Sequence, residues 1–381
     1  MWEWILSKNM TKGEIINVLN QIYPYDFMRQ KVFFFDHQLD KPYPKKEKHG
    51  IYGTEEIQRI IYENQYPADC SQRNFLIIPN YMANGIGSMI HVFGAYIADG
   101  IIFNRTVVYD PREQNRYTNF SHCKGTQGFD CFFRPLSKCQ LTSDEINYSN
   151  PKYLKAPPVN RFSIPESVIK VFSQTASPPE VYYFLWRIQT AYYITHPNDN
   201  LKKWLKEFKE KYIVNAKDHY DVSIFIRRGS KYLEMNLVPS DKYRYPLEII
   251  RKLESYDNKK LSVFVNSDDS NALNEFLQYK DFYDFSYYNC TRPKGGHDHS
   301  NAHDAKTALW ESISSLANLQ ELIKADYMIG TVGSNWGRLI IELNMQYFNK
   351  SVRFPFFEVG DSVCVTPSHC RVCNKKLSFI W

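Results

Sequence analysis

The chain of 381 residues lacks the marks of several protein classes. No apolar run approaches the roughly 20 residues that span a bilayer, and the N-terminus MWEWILSKNMTKGE lacks the apolar core of a secretory leader. The formal net charge of +6 is small for this length, and no basic tract is present, which argues against a nucleic-acid partner. The sequence predicts a globular protein of two domains with no membrane anchor in this chain.

Metal-binding patterns are also incomplete. Cys370-Arg-Val-Cys373, with Cys364 nearby, has no fourth zinc ligand at regular spacing unless His369 serves. The densest group of potential ligands follows two glycines and comprises His297, Asp298, His299, His303 and Asp304. A solvated polar loop explains this group, and a zinc-dependent hydrolase is the alternative. Because no Asp-x-Asp follows a strand, we expect no metal cofactor, and cationic side chains would neutralise a phosphate ligand.

Cysteine is even in number and concentrated in two regions. The eight positions are Cys70, Cys123, Cys131, Cys139, Cys290, Cys364, Cys370 and Cys373. Disulfides or metal binding could explain them, and the spacing fixes no pairing. Six sequons are compatible with a secretory route, at Asn9, Asn104, Asn119, Asn147, Asn289 and Asn349.

The pattern of apolar residues divides the chain into two main parts. Residues 1–52 form an N-terminal extension, 53–215 an N-terminal α/β domain, 216–350 a second domain and 351–381 a tail containing cysteines. The N-terminal domain has predicted strands at 75–80 and 105–109 around a buried helix at 89–102. The second domain alternates strands at 221–226, 261–266 and 326–331 with helices at about 242–254, 270–278, 305–324 and 335–346. This alternation predicts an α/β fold with a Rossmann-like parallel sheet.

Polar or basic side chains follow all three strands of the second domain. These groups are Arg227, Arg228, Lys231 and Glu234, then Ser267-Asp268-Asp269, then Gly333-Ser334-Asn335 before the last helix. Ligands of doubly wound sheets bind outside the carboxyl ends of the strands, where paired guanidinium groups and a helix N-terminus suit phosphate. A solvated turn or a helix cap explains each group taken singly. Their coincidence favours a nucleoside diphosphate site.

A glycine turn in the first domain is less specific. Gly85-Ile86-Gly87 and the nearby His91 lie between the strand at 75–79 and the next helix. A third glycine and the acidic residue of a dinucleotide fingerprint are absent. The turn suits either close approach of backbone to a ligand or a tight connection between strand and helix.

Three segments make a family resemblance visible. IFIRRGSK, VFVNSDDS and ADYMIGTVGSNWGRLIIELN resemble, in order and spacing, the motifs of the eukaryotic α-1,6-fucosyltransferases and their nodulation-type bacterial relatives. Upstream, the resemblance includes IQRIIYENQYPADCS, the GIGSMIH turn, RTVVYD, FDCFFRPLSKC and WRIQTAYYITHPNDNLKKWL. Together these segments extend over about residues 55–344.

The resemblance implies a two-domain, GT-B-like glycosyltransferase with GDP-fucose in its C-terminal domain. It also implies an inverting, metal-independent transfer of fucose to O6 of the innermost N-acetylglucosamine of an N-glycan. Arg227 matches the arginine at the β-phosphate, Lys231 supports it, and Glu234 is the expected base, although it is one residue nearer to Lys231 than in the family. The donor-binding positions implied are Arg228, Asp268, Asp269, Asn318, Ser334, Asn335, Gly85, Gly87 and His91.

This chain also departs from the family pattern. Phe225 replaces a histidine, Ser230 an aspartate, and Asn318 an aspartate that contacts guanine. These changes weaken the expectation for guanine more than that for the diphosphate. They leave two alternatives open, namely the same fold with a peptide or another glycan as acceptor, and a catalytically lapsed protein that binds nucleotide or glycan.

The resemblance also bears on the cysteines and the cellular location. Cys70 and Cys139 match two family positions that pair, and Cys123–Cys131 is a second candidate disulfide. Oxidised cysteines and the family together indicate the Golgi or another secretory lumen. The family's N-terminal anchor and coiled coil have no counterpart in this chain, and we attribute the missing anchor to a truncated gene model. The family's C-terminal barrel, which shapes acceptor choice, also has no counterpart, so the N-glycan acceptor is the least secure expectation. A homo-oligomer is compatible with the sequence.

Overall fold

The computed structural model describes residues 2–22, 53–80, 85–115, 117–118, 121–123, 125–126, 128–157, 163–174, 179, 182–228, 237–254, 259–292, 305–347 and 356–360. The chain forms two compact units. The N-terminal unit contains residues 30–207 and 299–315, and the C-terminal unit contains 1–29, 208–298 and 316–380.

Helices and strands alternate along most of the described chain. The helices are α1 (Trp2–Ser7), α2 (Lys12–Ile22), α3 (Thr54–Gln65), α4 (Ile86–Ile102), α5 (Glu166–Phe172), α6 (Tyr182–Ile194), α7 (Asp199–Tyr212), α8 (Arg244–Leu253), α9 (Ser270–Leu277), α10 (Ala305–Leu322) and α11 (Asn335–Tyr347). The strands are β1 (Phe75–Ile78), β2 (Thr106–Tyr109), β3 (Tyr153–Lys155), β4 (Ile213–Val214), β5 (Tyr220–Ile226), β6 (Leu261–Ser267), β7 (Tyr283–Tyr288), β8 (Ala325–Gly330) and β9 (Phe356–Glu358).

The N-terminal unit is built on a small parallel sheet. Its three strands have the order β2-β1-β3, and every residue of β1 and β2 is buried. The helix α4 returns the chain from β1 to β2 and is buried on most of its faces, as its run of apolar residues predicts. At Gly100 a Cβ atom would lie 2.3 Å from Val107 Cγ2. Glycine at this position therefore lets α4 lie directly on β2.

The C-terminal unit contains a larger sheet of order β4-β7-β6-β5-β8-β9. All its strand pairs are parallel except β4 with β7. The chain enters the parallel part at β5, moves outward through β6 and β7, and then crosses to the other side of β5 to form β8 and β9. The strand order thus reverses between β5 and β8, which is the switch point where doubly wound sheets bind ligands. The predicted α/β class with a C-terminal Rossmann-like parallel sheet is confirmed.

The first two helices are part of the C-terminal unit. Their buried apolar residues are Trp2, Ile5, Ile15 and Leu19, and they share one core cluster with Leu247, Ile250 and Leu253 of α8. Thr11 and Glu14 form reciprocal hydrogen bonds at the start of α2, with Thr11 N–H donating to Glu14 Oε2 at 2.8 Å and Glu14 N–H to Thr11 Oγ1 at 3.3 Å. Residues 2–22 therefore contribute to the core, although the sequence suggested only an extension.

The helix α7 is amphipathic. Leu201, Leu205 and Phe208 are buried along one stripe, and Asn198 caps the helix by accepting the Leu201 N–H at 2.8 Å. Across the described ranges, none of the helices combines the length and apolar character needed to cross a bilayer.

Candidate functional site

The carboxyl ends of β5, β6 and β8 lie side by side. Ile226 at the end of β5 is opposite Ser267 at the end of β6, and Ile224 is opposite Ile329 of β8. The three groups of polar side chains that the sequence singled out therefore begin at one edge of the sheet. This edge includes the switch point between β5 and β8.

Arg227 forms an ion pair with Asp268 between the ends of β5 and β6. The two side chains are 15% and 11% exposed. Asp268 Oδ1 also accepts the backbone N–H of Arg228 at 2.7 Å, and Arg227 Nη1 donates to Arg228 O at 2.7 Å. Asp268 thus holds the first arginine at the sheet edge and compensates part of its charge.

The guanidinium of Arg228 is engaged inside the protein. Its Nη1 donates to Val238 O, and its Nη2 donates to Ser240 Oγ at 3.0 Å. Ser240 in turn donates to Glu275 Oε2 at 2.8 Å. Arg228 therefore ties the end of β5 to residues 237–240 and, through Ser240, to α9.

Asp269 caps a helix. Its Oδ1 accepts the Asn271 N–H at 3.0 Å at the start of α9, and its own N–H donates to Ser267 Oγ at 3.1 Å. This is the helix-cap arrangement that the sequence left open as an alternative to donor binding. Asp268 and Asp269, adjacent in the chain, thus have different local partners.

The turn from β8 to α11 is fixed by several contacts, and we call residues 331–334 the β8–α11 turn. Ser334 is buried, and the Gly333 N–H donates to Thr331 Oγ1 at 3.3 Å. Arg338 Nη1 donates to Val332 O at 2.6 Å, and its Nη2 donates to Asn335 Oδ1 at 2.5 Å. Because α11 begins at Asn335, its N-terminal end lies at the switch point and favours an anion there.

Glu358, which the sequence did not single out, lies behind this turn. It ends β9 opposite Gly330 of β8 and is 6% exposed. Burial raises the pKa of Glu358 to about 8, against hydrogen bonds from Val332, Gly360 and Thr331 and the charge of Arg338, which lower it. No strand was predicted at 356–358, so this carboxyl had no expected position.

Arg292 is a third guanidinium near the edge. Its Nε donates to Ser267 O at 2.9 Å and its Nη1 to Cys290 O at 3.1 Å. Its Nη2 is buried, with no hydrogen-bond partner within the described part of the chain. Burial lowers the pKa of Arg292. A buried guanidinium nitrogen beside the end of β6 suits an anionic ligand, because leaving it unpaired is costly.

The glycine turn and its histidine lie in the N-terminal unit. Gly85 precedes α4 with an extended backbone (φ −67°), and Gly87 is buried in the first turn of the helix. Arg187 Nη2 donates a hydrogen bond to His91 Nε2 at 3.0 Å. In the C-terminal unit, Asn318 is 4% exposed within α10.

Two disulfides are present in the N-terminal unit, and both join pairs expected from the sequence. Cys70 and Cys139 are linked with their Cα atoms 5.6 Å apart, and Cys123 and Cys131 with theirs 5.1 Å apart. The first closes a span of 69 residues and the second a span of 8.

Several predicted residues lie outside the described residues. These are Lys231, Glu234 and Ser230, the potential metal ligands His297, Asp298, His299, His303 and Asp304, and the tail residues Cys364, His369, Cys370 and Cys373. Within the residues that are described, no three His, Cys, Asp or Glu side chains gather in a way that could hold a metal ion.

No protein-family model matches the chain. Among solved structures, the chain is similar to a mutant of Arabidopsis thaliana FUT1 in complex with GDP, at 14% identity over 77% of this chain and 73% of the other, with a TM-score of 0.42. It is also similar to the NodZ α-1,6-fucosyltransferase soaked with GDP-fucose, at 14% identity over 71% and 93%, with a TM-score of 0.38. A third is POFUT1 in complex with GDP, at 12% identity over 75% and 98%, with a TM-score of 0.37. At this level of likeness, function has to be argued from the residues of the chain itself.

Proposed function

We propose that this chain is an inverting, metal-independent fucosyltransferase that moves fucose from GDP-fucose to a hydroxyl group of a glycan. The observation that supports it most is the position of Arg227 and Arg228 at the carboxyl end of β5, beside the turn into α11. An arginine beside a helix N-terminus at a switch point suits the phosphates of a nucleoside diphosphate. The motif resemblance supplies the identity of the donor.

Arg227 would act on the leaving group. When the acceptor oxygen bonds to C1 of fucose, the bond from C1 to the β-phosphate oxygen breaks and its electron pair leaves with GDP. A guanidinium fixed near that oxygen stabilises the negative charge as it develops. The ion pair with Asp268 places the guanidinium at the edge before the donor arrives, which lowers the cost of organising it.

The remaining roles follow from the resemblance. Glu234 would take the proton of the acceptor hydroxyl, and Lys231 would support Arg227 at the diphosphate. Arg227 and the N-terminus of α11 would supply the charge compensation that other enzymes obtain from a metal ion. Arg292 adds a guanidinium whose Nη2 could reach an anion near Ser267.

We also propose an acceptor and a cellular compartment. O6 of the innermost N-acetylglucosamine of an N-glycan is the acceptor that the motif resemblance favours. Two disulfides in the N-terminal unit suit an oxidising compartment, and we propose the Golgi lumen.

The test is transfer of labelled fucose from GDP-fucose to a panel of glycans with and without EDTA. We expect transfer in both conditions and its loss in Arg227→Ala. Arg251→Ala is the control, because Arg251 lies on the helix α8 and faces Glu248 of the same helix at 3.8 Å. Full turnover by Arg227→Ala would refute the mechanism, and activity only on peptides or other glycans would refute the acceptor.

A second function has specific support. Phe225, which is buried in β5, replaces a histidine of the resembled family, and the partial neutralisation of Arg227 by Asp268 weakens its pull on an anion. A lapsed enzyme that binds GDP or a glycan would share this geometry. Binding of GDP with no label transferred to any glycan would favour it.

A further inference from the structure

The edge strand β9 places a carboxyl group against the β8–α11 turn. Gly330 of β8 is paired with Glu358 of β9, so the two strands end together. Glu358 Oε2 accepts the Val332 N–H at 2.6 Å, and Oε1 accepts the Gly360 N–H at 2.8 Å. Both carboxylate oxygens therefore hold backbone N–H groups, one of them inside the turn.

The same turn is held from its other side. At Gly337 a Cβ atom would lie 2.3 Å from Thr331 O, so the first turn of α11 lies in direct contact with the start of the β8–α11 turn. Arg338 holds the Val332 carbonyl at 2.6 Å. The N–H and C=O of Val332 thus have separate side-chain partners, Glu358 and Arg338, and these two contacts set the peptide orientation on each side of this residue.

The strand that bears Glu358 is braced by the N-terminal helix. Trp2 Nε1 donates to Glu358 O at 2.5 Å, and the Trp2 ring lies 5.2 Å from that of Phe357. Trp2 is 6% exposed, and Trp4 on the same helix is 50% exposed. One side of α1 therefore fixes β9, while the other faces solvent.

A carboxyl group at this position is costly. Two titratable groups lie around it: Arg338 from α11, whose charge lowers the pKa of Glu358, and Tyr243, whose own pKa is raised mainly by burial and further by the charge of Glu358. Burial raises the pKa of Glu358 to about 8 despite Arg338. A buried acid destabilises the fold unless hydrogen bonds offset its lost hydration. The hydrogen bonds of Glu358 fix a turn at the proposed donor site.

We propose that Glu358, braced by Trp2 of α1, is a positioning residue that holds the Val332–Gly333 segment so that the N-terminus of α11 meets the diphosphate of the donor. This inference rests on the proposed function. In this arrangement, α1 supports donor binding without contacting the donor.

The test compares Glu358→Gln with Glu321→Gln. Glutamine keeps one acceptor oxygen and turns the other into a donor, so one backbone N–H loses its partner. Glu321 is the control, because it is fully buried on α10, accepts the hydroxyl of Tyr220 at the opposite end of β5 at 3.1 Å, and pairs with Lys209 at 2.9 Å. We expect Glu358→Gln to raise the Kd for GDP and the KM for GDP-fucose about tenfold, with kcat changed less than about threefold and acceptor KM unchanged.

Trp2→Phe is a second test variant, with Trp4→Phe as its control. The Trp2→Phe replacement removes the indole N–H while keeping a ring against Phe357, and we expect a smaller rise in the Kd for GDP, about threefold. If Glu358→Gln fails to fold, this pair decides the question through calorimetry with GDP.

The outcomes separate the two proposals. If the unaltered chain binds no GDP, the proposed function is wrong. If it binds GDP, and Glu358→Gln or Trp2→Phe binds equally well, the positioning role alone is overturned. An equal loss of GDP affinity in Glu321→Gln would also overturn it, because the effect would then be general destabilisation.

Discussion

Removal of the disulfide between Cys70 and Cys139 is expected to destabilise the N-terminal unit far more than removal of the one between Cys123 and Cys131. A cross-link restricts the unfolded chain, and the restriction grows with the length of the closed loop. The loops span 69 and 8 residues. The chain-entropy relation then assigns about 4 kcal/mol to the longer loop and about 2.5 kcal/mol to the shorter one.

The variants for this comparison are the double alanine replacements. Cys123, Cys131 and Cys139 are all buried, so serine would add the cost of a buried hydroxyl and obscure the loop effect. Cys139 also belongs to the core cluster of Phe75 and Ile77, and its truncation adds to the loss in the longer-loop variant.

Hydrogen–deuterium exchange of peptides from β1 and β2 is the suitable assay. These strands lie in the N-terminal unit, and their exchange reports its opening free energy without requiring two-state unfolding of both units. We expect a difference of about 2 kcal/mol between the two variants. Equal losses, or a larger loss for the shorter loop, would refute the loop-length reasoning.

Two further predictions concern other charged groups. Burial raises the pKa of Asp130 from 3.8 to about 7, so between these pH values the folded chain keeps a proton that the unfolded chain loses, and stability falls as pH rises through that range. The variant Asp130→Asn should remove this part of the pH dependence, measured as the difference between urea midpoints at pH 5 and pH 8. An unchanged difference would contradict the prediction. Arg292→Ala should raise the Kd for GDP, measured by calorimetry, about tenfold. Arg105→Ala is the control and should leave GDP binding unchanged, because the Arg105 guanidinium donates to carbonyl groups in the N-terminal unit. Equal effects of the two variants would show that only packing is lost.

The strands that flank the switch point could be predicted from the sequence. Predicted strands 221–226, 261–266 and 326–331 are observed at 220–226, 261–267 and 325–330, because each is a continuous apolar run followed by a helix with clear boundaries. The strand β7 was missed. Its sequence YDFSYY does alternate aromatic and polar residues from Tyr283 to Tyr287, as a half-buried strand does, so this signal was present and was overlooked.

The site residues that the sequence did not predict lie next to or within strands that were also not predicted. Arg292 comes after β7, and Glu358 ends the short edge strand β9, so neither had a predicted position at the sheet edge. The hydrogen bond between Arg228 and Ser240 joins residues 12 apart, across a segment without helical or strand periodicity in the sequence. The spacing of apolar residues therefore could not predict it. The contribution of Trp2 to the core was missed for the same reason, since its partner Glu358 is 356 residues away.

Calorimetric titration with GDP and with guanosine, on the unaltered chain and on Arg227→Ala, tests the central claim most directly. If the diphosphate binds at the switch point, GDP should bind about a hundredfold more tightly than guanosine, and Arg227→Ala should lose most of that difference. Equal affinity for GDP and guanosine, or an Arg227→Ala variant that binds GDP as well as the unaltered chain, would contradict a donor site built on this arginine.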